Sequence, residues 1–415
     1  MNRIALLSVH TCPMAALGGK KTGGMNVYVR ELSRELARQG VLVDIYTRSQ
    51  DPCVPHINEY MSGALRLIHI PAGPEVPLDP DQIYPYLPQF IENMKAFAQL
   101  EELHYDFIYS HYWLSGLVAR SLREAWKTPV AQMFHTLGRM KDRISYLPNA
   151  YNLRDQHETE IMRWADRLIV ATPAEQAQLL WLYNLSNHQK AKIDIIPPGV
   201  DLRRFHPIDP TPARARLGMR PEEKILLFVG RIEPLKAVDT ILQALALLKT
   251  ESPEVVSNLS FVVVGGDPAD VGGSNPEMER IKALHTTLNL TEMVKFVGAK
   301  QQDVLSDYYA AAEALIMPSD YESFGMVALE AMASGIPVIA SKVGGLAFLI
   351  EDGVNGYHIP VREPSALAER IKHLLTTPGE RDRLGEAAAK HAINYGWEAI
   401  ATRLRASFER VTVSI

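Results

Sequence analysis

Two cysteines among 415 residues cannot build a disulfide framework, and Cys12 and Cys53 have neither Cys-x-x-Cys nor zinc-ligand spacing. They read as two small buried or half-buried thiols. No apolar run approaches the roughly 20 residues that a membrane span needs. The first ten residues hold one short apolar run without a small-residue cleavage site, so they read as a first strand rather than a signal peptide. The sequons at Asn184, Asn258 and Asn289 then read as chance matches, and a soluble cytoplasmic protein with no membrane partner is expected. Basic residues are not in excess either: Lys plus Arg number 43 against 48 Asp plus Glu, a net charge of −5. That balance argues against a nucleic-acid partner held by net charge, and any cationic site must be a local pocket. His-Glu-x-x-His, Gly-x-Ser-x-Gly and Gly-x-Gly-x-x-Gly are all missing, as is convincing Asp-x-Asp spacing at a strand end. No metal site and no cofactor is expected. No period of 20–50 residues marks a repeat array.

Apolar residues make up 47% of the chain and charged residues 22%, ordinary globular usage that excludes wholesale disorder. Short apolar runs alternate with amphipathic stretches, the pattern of parallel sheets covered by helices. Strands are expected at Ile4–Val9, Val41–Thr47, Leu65–His69, Phe107–His111, Val130–His135 and Leu168–Ala171. Tyr28–Arg38 carries helical spacing and stops at Gly40. A cluster of breakers fills residues 197–223, after which alternation resumes with Ile225–Val229, a helix over Thr240–Leu248, Leu259–Val264, Lys295–Val297, Ala314–Met317 and Pro337–Ala340. The expectation is an α/β protein of two Rossmann-like domains facing across a cleft, 1–205 and 206–395. A final helix near 396–415 crosses back to the first domain. Ligands in such sheets bind beyond the carboxyl ends of the strands.

Four segments lie at those ends. Gly18–Asn26 is glycine-rich but not a P-loop, because Met14 stands where the first glycine belongs and Lys21 fills the Ser/Thr slot. Taken functionally, Gly23-Gly24 opens a helix whose N-terminal amides can hold a diphosphate; taken otherwise, it is a plain turn. Arg231 and Lys236 follow the strand Ile225–Val229, where two solvated surface charges are the simpler reading. Glu322 lies in the loop after Ala314–Met317, and Glu330 comes eight residues later on a helix expected to start near Ser323. Because Glu330 interrupts an apolar run, it needs a partner. His135 ends the strand Val130–His135 and, alone, is most simply a satisfied histidine.

Together Gly23-Gly24-Met25-Asn26, His135, Arg231 with Lys236, and Glu322-x7-Glu330 resemble the retaining GT-B glycosyltransferases of family four, over essentially the whole chain. Within that family, Gly23–Val29 and His111–Gly116 are most similar to the branch acting on inositol phosphate. Sucrose-phosphate synthases, with Gly-Gly-Gln in place of Gly-Gly-Met, are a close second. The resemblance implies transfer of a hexosyl group from a UDP-sugar (UDP-glucose or UDP-N-acetylglucosamine) to a sugar or polyol, of the inositol phosphate or fructose 6-phosphate type. It assigns Arg231 and Lys236 to the leaving diphosphate, aided by Gly23, Gly24 and Asn26. It assigns Glu322 to hydroxyls of the donor sugar, Glu330 to the ribose and His135 to the sugar's 6-hydroxyl. Lys300 would lie near the nucleobase, and Ser323, Phe324 and Gly325 would complete the donor site. The acceptor set would be His10, Met25, Tyr112, Thr136, Lys141 and Arg154. One departure stands out: relatives carry an acceptor-site lysine where this chain has Pro80, within the acidic, proline-rich stretch Pro74–Tyr84. Rival readings are a hydrolysing sugar-nucleotide epimerase and a non-catalytic nucleotide-sugar binder. The first lacks assignable acid/base carboxylates, and the second would not require all five of His135, Arg231, Lys236, Glu322 and Glu330. Symmetric pairing into a homodimer is compatible with the sequence but no exposed apolar stripe demands it.

Overall fold

Apolar runs bounded by turn residues become parallel strands here because helices cover both sheet faces. The computed structural model describes residues 1–15, 23–145, 153–266 and 275–412. Among these, the strands are β1 (Arg3–Leu7), β2 (Leu42–Arg48), β3 (Ile57–Tyr60), β4 (Leu65–Ile70), β5 (Phe107–His111), β6 (Val130–Met133), β7 (Arg167–Val170), β8 (Ile193–Ile195), β9 (Lys224–Val229), β10 (Leu259–Val264), β11 (Val294–Phe296), β12 (Ala314–Met317), β13 (Val338–Ser341) and β14 (Gly356–Ile359). The first sheet runs β3-β4-β2-β1-β5-β6-β7-β8, parallel except for the antiparallel edge strand β3. The second runs β11-β10-β9-β12-β13-β14 and is parallel throughout. In both, strand order reverses beside the first strand of the unit, between β1 and β5 and between β9 and β12. Loops after those four strands flank the topological switch points where α/β sheets bind ligands.

The chain forms two compact units. One contains Met1–Ala15, Lys21–Gly199 and Trp397–Ile415, and the other Val200–Gly396. In the first, Ala5 and Leu7 of β1 and Ile108 of β5 share a core with Phe90, Trp113 and Ile161 from the helices. The helix Trp397–Thr412 belongs to this unit, with Phe408 stacked on Phe107 at a centroid distance of 4.3 Å. In the second, Leu226 and Phe228 of β9 and Phe261 of β10 pack with Ile241, Leu245 and Ile371.

Several sequence expectations need correction. The strand expected to reach His135 ends at Met133, and His135 itself adopts a left-handed φ of 61°. The helix expected from Ser323 starts at Met326, because Gly325 at φ 99° breaks the backbone before it. Cys53 is exposed rather than half-buried. Strands β3, β8 and β14 went unpredicted. Each is short, and Asn58, Glu59, Asp194 and His358 interrupt the apolar signal. No helix among the described residues is long and apolar enough to cross a membrane.

Candidate active site

In the second unit, β9 leads into a turn that carries both expected cations. Arg231 is half exposed and pairs with Glu233 (Nη1–Oε1 2.8 Å). Lys236 ends the single 3-10 turn Pro234–Lys236, and its Nζ lies 2.5 Å from Glu322 Oε2. Lys236 and Glu322 are thus brought together from loops after adjacent strands, with side chains only 21% and 16% exposed. Backbone joins the same loops, since Asp320 N–H donates to Leu235 O at 2.9 Å.

The Glu322 loop is held from behind by a glycine pair. Gly345 N–H donates to Glu322 O at 2.9 Å, and a Cβ on Gly344 would meet that same oxygen at 1.9 Å. Only a residue without a side chain fits there, and Gly344's φ of 44° makes the same demand. Beyond the loop, Ser323 is half-buried, whereas Phe324 is buried beside Tyr395. Glu330 stands on the second turn of the helix Met326–Ala333 and is buried. Its carboxylate accepts from Gln302 Nε2 (3.0 Å) and Tyr309 Oη (2.9 Å), so the partner its apolar surroundings require comes from within the protein. Burial, reinforced by that carboxylate, raises the Tyr309 pKa well above its ordinary value and keeps the phenol a donor. Lys300 is half-buried in the turn after β11.

In the first unit, the loops after β1, β5 and β6 converge. Asn26 is buried and bonds inside the protein: Nδ2 donates to Thr11 Oγ1 (2.9 Å) and Cys12 O (2.8 Å), while Oδ1 accepts from Gly23 N–H. It therefore ties the start of the helix Gly24–Arg38 to the loop after β1. Gly23 is its N-cap, Gly24 is exposed, and Met25 is half-buried in the first turn. His10 packs on the Tyr112 ring with centroids 4.3 Å apart. His135 Nε2 lies 3.0 Å from Nδ1 of His111, the buried first residue of the His111–Gly116 pattern, a contact that neither motif foretold. Loss of hydration and then the neighbouring His10 push the His135 pKa below the usual histidine value, and burial does the same to His111. Both rings are therefore neutral at pH 7, so one nitrogen donates and the other accepts. Tyr28 meets both edge-on, and His135 and Tyr112 each hold a left-handed backbone (φ 61° and 73°).

Three of the expected acceptor residues form one cluster. Arg154 donates from Nη1 to Tyr112 Oη (3.3 Å) and from Nη2 to the carbonyl and hydroxyl of Thr136, and its guanidinium lies over the Tyr112 ring. Its Nε donates to Glu158 at 2.7 Å. Glu158 is fully buried and also accepts from Gly138 N–H and Tyr183 Oη. The i, i+4 spacing of Arg154 and Glu158 on the helix Leu153–Trp164 is the signal that could have found it. Lys141 belongs to the helix Gly138–Ser145, but its side chain lies outside the described residues, as do residues 18–22 of the glycine-rich segment.

Pro80 opens the short helix Pro80–Ile83 and supplies no cation. The stretch before it is fixed by the buried Arg48, which donates to the carbonyls of Ala72, Pro74 and Val76. The stretch after it is fixed by Tyr84, whose hydroxyl lies 3.1 Å from His157 Nε2 on the Arg154 helix. Among the described residues, no group of three or more His, Cys, Asp or Glu side chains is placed to hold a metal ion.

Comparison with known proteins gives this geometry a family. Residues 22–204 match the model described as Glycosyltransferase Family 4, and residues 210–391 match Glycosyl transferases group 1. The chain is 40% identical over 406 residues to a D-inositol 3-phosphate glycosyltransferase of Streptomyces scabiei, covering 96% of this chain and 89% of the relative. It is 37% identical to the protein of that name from Kribbella flavida, covering 99% and 96%. Among solved structures, a sucrose-phosphate synthase from Thermosynechococcus elongatus superposes with a TM-score of 0.87 at 34% identity, covering both chains in full. The chain belongs to the family four glycosyltransferases and has their GT-B fold.

Proposed function

We propose that this glycosyltransferase moves a hexosyl group from a UDP-sugar to a phosphorylated sugar or polyol, with retention of anomeric configuration. The second unit would serve as donor domain and the first as acceptor domain. The observation that carries the reading is the Arg154 cluster. A guanidinium, a phenol and a Thr hydroxyl converge at the ends of β5 and β6, and a phosphate monoester takes up donors of that kind. Relatives named for inositol 3-phosphate and sucrose phosphate support the same acceptor class.

Departure of the nucleoside diphosphate develops negative charge on the leaving phosphate. In this reading Arg231 and Lys236 neutralise it without a catalytic metal, with helix N-terminal amides contributing. Glu322, through its contact with Lys236, orients the ammonium while its other oxygen accepts from the donor sugar. Glu330 receives the ribose hydroxyls, and neutral His135 serves as a hydrogen-bonding group rather than a cation. Transfer in this reading is front-face, the leaving phosphate taking the acceptor's proton as the new glycosidic bond forms and the bond to the diphosphate breaks. Pro80 removes one cation from the acceptor site, so phosphate recognition falls on Arg154 and Lys141.

The test is UDP release from UDP-glucose and UDP-N-acetylglucosamine, with EDTA present, against inositol phosphate, fructose 6-phosphate and their unphosphorylated forms. Release that requires one phosphorylated acceptor supports the reading. Equal use of phosphorylated and plain acceptor overturns its phosphate part, and release without any acceptor overturns transfer.

A further inference from the structure

Arg362, at the turn after β14, belongs to none of the motifs above. Its guanidinium forks onto Asp320, with Nε to Oδ1 at 2.7 Å and Nη2 to Oδ2 at 2.6 Å. Nη1 lies 2.9 Å from each carboxylate oxygen of Asp239, and Nη2 also donates to Pro234 O at 2.9 Å. The residue holds a left-handed φ of 59°, a backbone that side chains other than glycine and asparagine rarely take. Persistence of that conformation means the surrounding contacts determine it.

What these contacts join is specific. Asp320 precedes Glu322 by two residues, and Pro234 precedes Lys236 by two. Arg362 reaches across the sheet from β14 to the loops after β12 and β9, and the Asp320 N–H bond to Leu235 O is a second link between the same loops. An exposed ion pair contributes little by itself. Here a planar, five-donor fork contacts two carboxylates and a carbonyl at once, which fixes geometry in a way that a point charge cannot.

We propose that Arg362 is a positioning residue that holds the Lys236 turn and the Glu322 loop in register, so that ammonium and carboxylate meet the donor in one fixed arrangement. The inference rests on the roles given above to Lys236 and Glu322. Misplacing reacting groups by about 1 Å can cost on the order of a hundredfold in rate, so loss of the strap appears in turnover far more than in stability.

The test compares Arg362→Ala and Arg362→Lys with Arg216→Ala, which removes another bidentate pair of the same unit, onto Asp307, away from both loops. Turnover and acceptor KM are measured with the UDP-sugar the wild type uses, alongside thermal midpoint and hydrogen exchange of peptides covering 232–238 and 318–326. Expected are a kcat lowered by about tenfold to a hundredfold in both Arg362 variants, acceptor KM within about twofold, and a midpoint similar to that of Arg216→Ala. Faster exchange in both peptides should accompany this, with Arg216→Ala leaving them as in the wild type. A kcat for Arg362→Ala no lower than for Arg216→Ala, full turnover by Arg362→Lys, or unchanged exchange overturns the proposal. Absence of transfer by the wild type would instead count against the functional reading, and exchange would still decide whether the strap exists.

Discussion

Lys236 Nζ and Glu322 Oε2 lie 2.5 Å apart, although 86 residues separate them in sequence. The contact spans the switch point of the second sheet, one partner following β9 and the other β12. The carboxylate orients the lysine side chain, so that under the proposed function the leaving phosphate meets a cation already in place. The pair is mostly shielded from solvent, which strengthens its interaction relative to a surface pair.

Lys236→Ala should therefore lower kcat by about tenfold to several hundredfold, since one charge-assisted hydrogen bond contributes roughly 1.5–3 kcal/mol and each tenfold in rate is about 1.4 kcal/mol. Steady-state kinetics with the preferred acceptor checks this, with circular dichroism establishing that the variant folds. A folded variant with wild-type turnover removes Lys236 from the leaving-group site.

What the sequence disclosed depended on whether the contact was local. Strands β5, β10 and β12 are apolar runs ended by turns, and their limits agree with the expectation residue for residue. Arg154, Tyr112 and Thr136 carried a family pattern, and the structure brings them together. His111 opened one of the family patterns, but its contact with His135 was hidden, because a histidine inside a buried strand gives no sign of a partner in the loop after β6. Arg362 was hidden for a related reason: its carboxylate partners lie 42 and 123 positions away, and no spacing rule reaches that far. Gly344 was invisible because the clash that demands glycine involves Glu322 O, in a different loop.

That clash is itself testable. Gly344→Ala would set a methyl against Glu322 O and strain a left-handed backbone, pushing the Glu322 loop away from Lys236. Gly353→Ala is the control, because Gly353 has a similar left-handed φ of 75° but open space at the Cβ position. Gly344→Ala should lose at least about tenfold in kcat, on the scale expected for misplaced reacting groups, while Gly353→Ala loses only stability. Equal activities, measured at a temperature where both variants are folded, would separate Glu322 placement from Gly344.

Removing Arg154 has two expected consequences. The acceptor KM should rise for a phosphorylated acceptor and change little for its unphosphorylated form, because guanidinium donors discriminate for phosphate. The fold should also weaken, since the fully buried Glu158 would lose the guanidinium that pairs with it. Breaking such a pair costs about 3–5 kcal/mol. The double variant Arg154→Met with Glu158→Gln, which leaves no buried charge unpaired, should recover much of that stability but none of the phosphate preference. Kinetics on both acceptor forms and urea unfolding of the three proteins distinguish these effects.

Glu175 gives a pH prediction with a definite sign. It is buried at the start of the helix Pro173–Leu182, and burial pushes its pKa up to about 7 despite the hydrogen bond it accepts from Ala171 N–H. A carboxyl whose pKa is higher folded than unfolded binds its proton more tightly in the native state. Its contribution is fully present below the unfolded value, near the ordinary carboxylate range, and is lost as pH climbs through about 7. The loss is on the order of 3 kcal/mol at 1.36 kcal/mol per unit. Glu175→Gln keeps an oxygen to accept from Ala171 and has nothing to ionise. It should match the wild type in thermal midpoint at pH 5 and exceed it at pH 8. A gap between the two proteins that stays constant from pH 5 to 8 would mean that Glu175 remains ionised in the folded state throughout.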